Sequence, residues 1–307
     1  MAPQASEAFS LLMPVYAGDT APAVEAALVA ATDGQVVAPA QVVIAQDGPV
    51  GDELRDRLDR WVARRDVVLV RLAQNQGIAA ALNAGLRACV HPVVARADAD
   101  DVSLPGRFAA QLPLVTAGLD VVGGAMVEFT EADGPAAQAG PDGVLAWARA
   151  LEANPEAVPH GTVRRYPEAH SDIAQTARLT NPMAHPTVMF RRAVVMRAGG
   201  YQKLTYLEDY LLWARCLMQG ARFANLPEIL VAYRVSPAAY RRRGGPKVAL
   251  AEAALQRTFR SMGFTSRCQE MRNLALRGGF ELAPGPLRGP LLRRVWKVTN
   301  SHNPPPG

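Results

Sequence analysis

The sequence has few cysteines, no long uncharged apolar run and no recognisable secretory signal, and each shortage excludes a class of protein. Its three cysteines, Cys89, Cys216 and Cys268, are odd in number and far apart, which argues against a disulfide framework and a zinc site. No uncharged apolar stretch reaches the about eighteen residues of a membrane-spanning helix. The opening letters MAPQASEAFS hold neither a basic region nor an apolar core. With 49% apolar residues, the chain is predicted to be globular and cytoplasmic.

Positive charge is concentrated at one end of the chain. Residues 241–307 hold 13 Lys and Arg against 3 Asp and Glu, whereas the preceding residues hold 20 and 25. A basic segment behind an acidic body suggests an anionic partner such as a phospholipid surface, a phosphate-bearing substrate or nucleic acid. A solvated helical appendage is the alternative. No aromatic interleaving or known motif supports nucleic acid, so that partner is not expected.

Apolar runs and amphipathic patterns alternate through the first hundred residues. The runs FSLLMPVY, AQVVIAQDG, VVLVRL and PVVARAD predict strands. The segments between them, APAVEAALVAAT, DELRDRLDRWVARR and GIAAALNAGLRAC, predict helices. Strand–helix repetition with nearly continuous apolar strands predicts an α/β fold with a mostly parallel sheet covered by helices.

The second half of the chain is less regular. Between about residues 131 and 159 the composition shifts to Ala, Gly, Pro and acids, which predicts an insertion with one short helix around VLAWARALEAN. HPTVMFRRAVVMRAGGY predicts a strand and a short helix, YLEDYLLWARCLMQG a helix, and ARFANLPEILVAYRV two short strands. We therefore expect a catalytic or binding domain over residues 1–240 and a basic, mainly helical segment over residues 241–307.

Polar side chains fall at or just past the ends of four predicted strands. These residues are Tyr16, Asp47, Asn75 and Asp98. Ligands of parallel α/β sheets bind at the carboxyl ends of the strands. The sequence therefore predicts one binding edge to which four strand ends contribute.

Three carboxylates crowd the end of the fourth strand, in the stretch VVARADADDVSLP. Asp98 and Asp100 would point to the same side of an extended segment, while Asp101 turns away. Crowded carboxylates raise one another's pKa, and their oxygens are the ligands that Mg²⁺ and Mn²⁺ prefer. The alternative is a solvated acidic turn in which Asp101 or Ser103 caps the next segment of the chain.

A second acidic pair, Glu208 and Asp209, opens a predicted helix. Negative charge at a helix N-terminus is stabilised by the helix dipole and the free N–H groups, which would explain the pair without any function. The functional alternative is a general base that deprotonates a hydroxyl.

Taken in order, several blocks resemble family 2 glycosyltransferases of the GT-A fold. They are LLMPVY, the strand end at Asp47, NQGIAAALNAGL, RADADD, HPTVMFRRAVVMRAGGY and EDYLLWARCLMQG. LPEILVAYRV and AAYRRRGG are similar to the amylovoran-type branch that makes bacterial exopolysaccharides. The resemblance covers about residues 10 to 296 apart from the insertion. It implies a Rossmann-like GT-A domain, a nucleotide-sugar donor whose base is usually uracil, Mn²⁺ or Mg²⁺, and a saccharide or lipid-linked acceptor. The sugar, the acceptor and the linkage stay open.

The resemblance also implies roles for individual residues. Asp100 would be the principal metal ligand with Asp98 beside it, and Asp209 the catalytic base of an inverting transfer. Glu208 would orient that base or bind the acceptor. His185, predicted to open a strand, would reach the donor sugar or the acceptor, or be structural. The nucleotide would be bound by Pro14, Val15, Tyr16, Asp47, Asn75, Gly77 and Asp98.

One departure from the family concerns the diphosphate. Many members place a histidine after the last core strand, and this chain has none there. Arg234, Arg241 or Arg242 would pair with the diphosphate instead, with membrane or solvent contact as the alternative. The later stretch PLRGPLLRRVWK mixes Trp and Leu with basic residues, which is typical of helices at a membrane interface. We therefore hypothesise peripheral attachment to the inner face of the cell membrane.

Three other functions are alternatives to the transferase. A haloacid-dehalogenase-like phosphatase would explain DADDV, but three predicted strands precede it and the downstream lysine and paired acids are not evident. A nucleotidyltransferase would carry a Gly-rich basic signature after the first strand, and PVYAGDTAP has one Gly and no base. A non-catalytic, degenerate transferase would not need the intact acids.

Overall fold

The computed structural model describes residues 8–64, 66–135, 140–154, 158, 161–204, 206–235 and 246–282. The alternation predicted for the first hundred residues is confirmed. Its strands are β1 (Phe9–Tyr16), β2 (Gln41–Asp47), β3 (Val67–Arg71) and β4 (Val93–Arg96). Its helices are α1 (Ala21–Ala31), α2 (Asp52–Val62) and α3 (Ile78–Ala88).

The remaining elements complete the sheet and cover it. Further strands are β5 (Val102–Ser103), β6 (Val121–Phe129), β7 (Val163–Arg164), β8 (Met189–Arg191) and β9 (Phe223–Arg234). Further helices are α4 (Arg107–Thr116), α5 (Gly140–Ala153), α6 (His170–Thr176), α7 (Arg192–Arg197), α8 (Glu208–Met218), α9 (Pro246–Ser261) and α10 (Arg267–Leu282).

The strands form one mixed sheet in the order β3-β2-β1-β4-β8-β6-β9-β5, with β7 paired to β6. The parallel pairings β1–β2, β1–β4, β2–β3 and β6–β9 are joined through the antiparallel strand β8. Six of the described strands therefore run in one direction, and the three short strands β5, β7 and β8 run against them. The predicted mostly parallel sheet is confirmed.

The sequence patterns did not identify strand β6, which contains two consecutive glycines. A Cβ on Gly123 would lie 2.4 Å from Oδ1 of Asn225, and one on Gly124 would lie 2.4 Å from Cδ1 of Leu230. Both glycines are therefore required by close packing against β9. Glycine is unfavourable in isolated strands, so this tertiary requirement was invisible in the local pattern.

The prediction of two short strands in ARFANLPEILVAYRV was wrong, because β9 is continuous. It pairs in parallel with β6, and the register shifts where Leu226 faces Gly124 and Ile229 faces Ala125. The additional residues on β9 form an irregularity around Pro227. Proline has no N–H to donate to the ladder, so it looks like a break in the sequence, whereas the bulge accommodates it within one strand.

His185 does not open a strand, which corrects a second prediction. It begins a single 3-10 turn, His185–Thr187, and the strand β8 starts at Met189. Pro186 lies in the first turn of this 3-10 element, where its fixed φ is compatible with a helical conformation and its missing N–H is not needed.

The sheet has an apolar layer on each face. Leu11 and Met13 of β1 pack with Leu28 and Phe108 on one face. Leu12, the residue between them, belongs to the opposite layer with the residues of α3 and α8. Alternate residues of a strand point to opposite faces, so this continuous apolar strand supports two hydrophobic layers.

Helix α5 lies in the predicted insertion, and it packs against α1. The helices α9 and α10 pack behind α8, where the ring of Tyr210 meets that of Phe259 edge to face at 5.0 Å. Asn273 of α10 donates to the carbonyl of Arg178 at 2.8 Å. The division at residue 240 remains a prediction. Arg241, Arg242 and the stretch PLRGPLLRRVWK lie outside the described residues, and none of the described helices is long and apolar enough to cross a bilayer.

Candidate functional site

The end of β1 contributes residues with different exposure to the binding edge. Tyr16 lies opposite Asp47 in the register of β1 and β2, and its side chain is 48% exposed. Pro14 is half-buried. The side chain of Val15 belongs to the hydrophobic core, so this residue can offer a ligand little more than its backbone.

Asp47 holds the loop that leads into α3. Its Oδ1 accepts from the amide of Gln76 at 2.7 Å, and its Oδ2 accepts from the amide of Gly77 at 2.9 Å. The side chain of Asn75 donates to the Asp47 carbonyl at 3.3 Å. Gly77 has a φ of +93°, a conformation that glycine adopts without strain. Asp47 therefore fixes Asn75 and Gly77 at the edge, where they were predicted to border the nucleotide.

Asn83 of α3 clamps the backbone of Tyr201. Its Nδ2 donates to the Tyr201 carbonyl at 2.7 Å, and its Oδ1 accepts from the Tyr201 amide at 2.8 Å. The Tyr201 hydroxyl lies 3.0 Å from Nε2 of His185, which is buried. Burial and the charge of Arg96 lower the pKa of His185 well below its usual value. His185 is therefore a neutral imidazole held in place by a phenol.

A cavity of about 400 Å³ opens beside this clamp. It lies between the loop after β3, the first turns of α3 and the loop after α7. Its lining is mainly amide side chains with one cation, and it includes Gln74, Asn75, Gln76, Asn83, Tyr201 and Lys203.

The acidic motif is tied into the protein by arginines. Both terminal nitrogens of the buried Arg96 donate to the Asp98 carboxylate, with Nη1 2.5 Å from Oδ2. Asp101 is buried, and its Oδ1 accepts from the amide of Arg234 at 2.8 Å. Arg234 also donates through Nε to the carbonyl of Asp100 at 2.9 Å. The solvated acidic turn is therefore wrong, because Asp101 joins the motif to the end of β9.

Arg107, the first residue of α4, stabilises the chain on either side of the acidic motif. It donates to the carbonyl of Arg96 at 2.6 Å and to the hydroxyl of Ser103 at 2.9 Å. Burial and the neighbouring charge of Arg96 lower its pKa to about 9. Its contacts are structural, because they join α4 to Ser103 and to the backbone of β4.

Asp100 carries negative charge that its surroundings do not fully compensate. Burial and the charge of Asp98 raise its pKa to about 6, against the opposing effect of Arg234 and Arg96. Its side chain lines a cavity of about 620 Å³ between α1 and α5 that Tyr16 also lines. A divalent cation would relieve this charge, so the residues fit Mn²⁺ or Mg²⁺. Among the described residues, no three His, Cys, Asp or Glu side chains form a metal-binding group, so such an ion would need further oxygens from a ligand.

Asp19 is a further acid of this edge that the sequence analysis missed. It lines the larger cavity, and its Oδ2 accepts from the amide of Tyr16 at 2.8 Å. Burial, together with the charges of Asp100 and Asp98, raises its pKa to about 7. The available signal was its position in the short turn between β1 and α1, on the predicted binding edge.

The second acidic pair lies at the N-terminus of α8. Oδ1 of Asp209 accepts from the amide of Tyr210 at 2.7 Å, and its Oδ2 accepts from the side chain of Asn181 at 2.7 Å. Burial raises the pKa of Asp209, and the bond from Asn181 opposes the rise. Burial and the charge of Asp209 raise the pKa of Glu208 to about 7. A buried carboxylate with a raised pKa is suited to general base catalysis at neutral pH.

The charge of Arg96 acts on both groups of acids. It opposes the rise in the pKa of Asp100 and also that of Glu208 and Asp209. The acidic motif and the acids of α8 therefore share one electrostatic environment around a buried cation.

Known families and proteins include clear relatives of this chain. Residues 10–196 match the family model described as Glycosyl transferase family 2. The amylovoran biosynthesis glycosyltransferase AmsE of Erwinia amylovora is 36% identical over 221 residues, which cover 71% of this chain and 73% of that protein. A UDP-Gal:alpha-D-GlcNAc-diphosphoundecaprenol beta-1,3-galactosyltransferase of Escherichia coli is 31% identical over 287 residues, which cover 94% of this chain and 96% of that protein.

Solved structures of glycosyltransferases share the fold at low sequence identity. Staphylococcus aureus TarS 1–349 in complex with UDP-GlcNAc gives a TM-score of 0.62 at 13% identity, covering 97% of this chain and 82% of that chain. The mannosyltransferase PcManGT from Pyrobaculum calidifontis, in complex with GDP-Man and Mn²⁺, gives 0.58 at 17% identity, covering 99% and 78%. The predicted GT-A fold is confirmed.

Proposed function

The chain belongs to glycosyltransferase family 2, and we propose that it transfers a sugar from a UDP-sugar to a lipid-linked or saccharide acceptor with inversion at the anomeric carbon. The phosphatase alternative is excluded by this membership. The observation that carries the proposal is the acidic motif after β4, in which Arg96 orients Asp98 and the side chain of Asp100 lines the cavity beside Tyr16. The extensive likeness to a galactosyltransferase named for UDP-Gal and a diphosphoundecaprenol acceptor supports the donor and acceptor classes.

The nucleotide occupies the ends of the first three strands in this proposal. The exposed ring of Tyr16 provides a surface for the base or the ribose, with Pro14 and the backbone of Val15 beside it. Asp47 keeps the loop containing Asn75 and Gly77 in position. Asp98, oriented by Arg96, faces the ribose or the cation.

The diphosphate is the leaving group, and its negative charge has to be neutralised. Asp100, with Asp98, would hold Mn²⁺ or Mg²⁺. When bound, the ion acts as a Lewis acid on the leaving diphosphate. Arg234 adds positive charge beside Asp100, and Arg241 and Arg242 remain proposed phosphate ligands.

The proton of the acceptor hydroxyl is taken by Asp209. Its two hydrogen bonds, from Asn181 and the Tyr210 amide, fix the carboxylate at the start of α8. Glu208 binds or orients the acceptor, and the neutral His185 offers a hydrogen bond to a sugar hydroxyl. The deprotonated hydroxyl attacks the anomeric carbon opposite the leaving diphosphate, so one displacement inverts its configuration through an oxocarbenium-like state.

A transfer assay tests this proposal. UDP-galactose and a GlcNAc-diphospholipid are incubated with the protein and Mn²⁺, and the product is analysed by mass spectrometry and by NMR of the new anomeric centre. An inverted linkage that Asp209→Asn does not form is the expected result. A retained configuration would contradict the single displacement. UDP-GlcNAc and UDP-glucose in parallel reactions would identify another donor sugar.

Peripheral attachment to the cytoplasmic face of the membrane is the proposed location. Among residues 247–276 of α9 and α10, the exposed charged side chains are all basic, whereas Glu252 and Glu270 are buried. Leu250 is 71% exposed and Met271 is 61% exposed among them. Such a mixed basic and apolar surface suits an anionic interface. Flotation with vesicles of phosphatidylglycerol and phosphatidylcholine tests it, and a protein that stays unbound at low salt would contradict it.

A further inference from the structure

Asn181 touches the carboxylate that the proposed reaction uses as its base. Its Nδ2 donates to Oδ2 of Asp209 at 2.7 Å. Its Oδ1 accepts from the backbone N–H of Met183 at 3.4 Å. This bond orients the side-chain amide of Asn181 so that its NH2 group points at Asp209. The other oxygen of Asp209 accepts from the Tyr210 amide at 2.7 Å. Asn181 is therefore the side chain that fixes the second carboxylate oxygen.

The segment that carries Asn181 has an anchor in the sheet as well as its contacts with helix α8. Asn181 precedes Pro182, which restricts its backbone to extended conformations. The carbonyl of Pro182 accepts from Nδ2 of the buried Asn225 at 3.0 Å, and the same nitrogen donates to the carbonyl of Pro167 at 2.7 Å. Asn225 belongs to β9, so the sheet anchors the donor while α8 carries the acceptor.

We propose that Asn181 is a positioning residue, which holds the carboxylate of Asp209 in the orientation and ionised state needed to deprotonate the acceptor. This inference rests on the proposed function. A neutral amide suits the task because it stabilises the carboxylate without the strong pairing of an arginine or lysine, which would abolish the basicity.

Several groups around Asp209 affect its pKa, and the hydrogen bond from Asn181 has an effect distinct from theirs. Glu208 adjoins Asp209 on α8, and the charge of Arg96 in β4 lowers the pKa of Asp209. Tyr201, in the loop after α7, also interacts electrostatically with Asp209. Burial raises the pKa of Asp209, and the bond from Asn181 is the largest of the effects that lower it. Removing the amide while keeping these groups should therefore favour the protonated carboxyl, which cannot act as a base.

The test compares Asn181→Ala with Asn225→Ala, which loosens the same segment without touching Asp209. The carboxyl ¹³C signal of Asp209, identified by its loss in Asp209→Asn, is followed from pH 4 to pH 9 in ¹³C-aspartate-labelled full-length protein. A hydrogen bond to a charged group corresponds to an expected upward shift of about one to two pH units in Asn181→Ala. Asn225→Ala keeps the amide of Asn181, so it should move the midpoint much less than Asn181→Ala does, even if it lowers stability.

Kinetics extend the test to the reaction. With UDP-galactose and a GlcNAc-diphospholipid, Asn181→Ala should lose about 10- to 100-fold in kcat below the new midpoint and recover at alkaline pH, with KM little changed. An unmoved midpoint, or an equal shift in Asn225→Ala, would overturn the positioning role while Asp209→Asn still abolished transfer. Full transfer by Asp209→Asn would instead refute Asp209 as the base, and with it the positioning role of Asn181, while the transfer activity itself would stand.

Discussion

Arg96 and Asp98 form a two-pronged ion pair in which the guanidinium is 2% exposed and the carboxylate side chain 23% exposed. Asp98 is thereby oriented before any ligand arrives. Asp100, two residues further on, has no equivalent ion pair among the residues that the structure describes, and burial together with the charge of Asp98 raises its pKa to about 6. The two aspartates of the motif thus differ in their charge compensation, which makes Asp100 the better candidate for principal ligand of a cation.

Replacing Arg96 tests the importance of that pair. Arg96→Met leaves Asp98 without its partner. It also removes the positive charge that acts on Asp100 and on the acidic pair of α8. Breaking a buried ion pair costs about 3–5 kcal/mol, and the partial exposure of Asp98 puts the expected loss near the lower limit. Urea denaturation measures the free energy of unfolding.

Arg64 provides the matched control for this substitution. It pairs with Asp33 at 3.1 Å, and both side chains are more than a third exposed. Arg64→Met should change stability by no more than about 1 kcal/mol. Equal losses in the two variants would show that the burial of Arg96 has no special consequence.

Asp19 should make stability depend on pH. Its folded pKa of about 7 exceeds its ordinary value of 3.8, so the folded state binds more protons between these values. The free energy of unfolding contributed by this group therefore falls as pH rises from about 4 to about 7. Asp19→Asn should gain stability relative to the natural protein as pH rises from 5 to 7, as measured by urea midpoints.

The exposed Asp33 serves as the comparison for Asp19, and Asp33→Asn should not gain stability over the same range. Mn²⁺ should stabilise the natural protein at pH 7 more than at pH 5, because the protonated acids compete with the ion. A relative stability of Asp19→Asn that did not change with pH would contradict the raised pKa.

Gly77 tests the loop that Asp47 holds. A Cβ at this position would meet nothing within 4 Å, but the φ of +93° is unfavourable for any side chain. Gly77→Ala should cost about 1–2 kcal/mol and weaken binding of UDP. Gly51 has an ordinary φ of −64° and equally open space. Because it is the N-cap of α2, where alanine is less favourable than glycine, Gly51→Ala should cost less than about 1 kcal/mol. Similar stability losses in the two variants would show that the positive φ of Gly77 carries no special cost.

Asp209 and Glu208 should differ in their effect on the rate. Asp209→Asn keeps the shape of the side chain but replaces one of its two accepting oxygens by a donor. Because it also removes the base, kcat should fall by about 10²–10⁴-fold. Glu208→Gln should mainly raise KM for the acceptor. Initial rates at varied acceptor concentration separate the two effects. A larger loss of kcat in Glu208→Gln than in Asp209→Asn would indicate that Glu208 is the base and Asp209 binds or orients the acceptor.

Local sequence patterns predicted the parts of this protein that local patterns determine. The alternating strands and helices placed Tyr16, Asp47 and Asp98 at one edge, because parallel strands end together. Strand β6 and the continuous β9 were missed, because their glycines and proline are explained by contacts between distant segments. Asn181 was missed for the same reason, since its partner Asp209 lies 28 residues further along the chain.

Calorimetric titration with UDP in the presence and absence of Mn²⁺ tests the central claim most directly. The account predicts binding that Mn²⁺ strengthens and that Asp100→Ala loses, with GDP, CDP and dTDP binding more weakly. Asp52→Ala, at an exposed acid of α2, is the matched control and should bind as the natural protein does. Absence of nucleotide binding with Mn²⁺ present would contradict a metal-dependent nucleotide-sugar transferase.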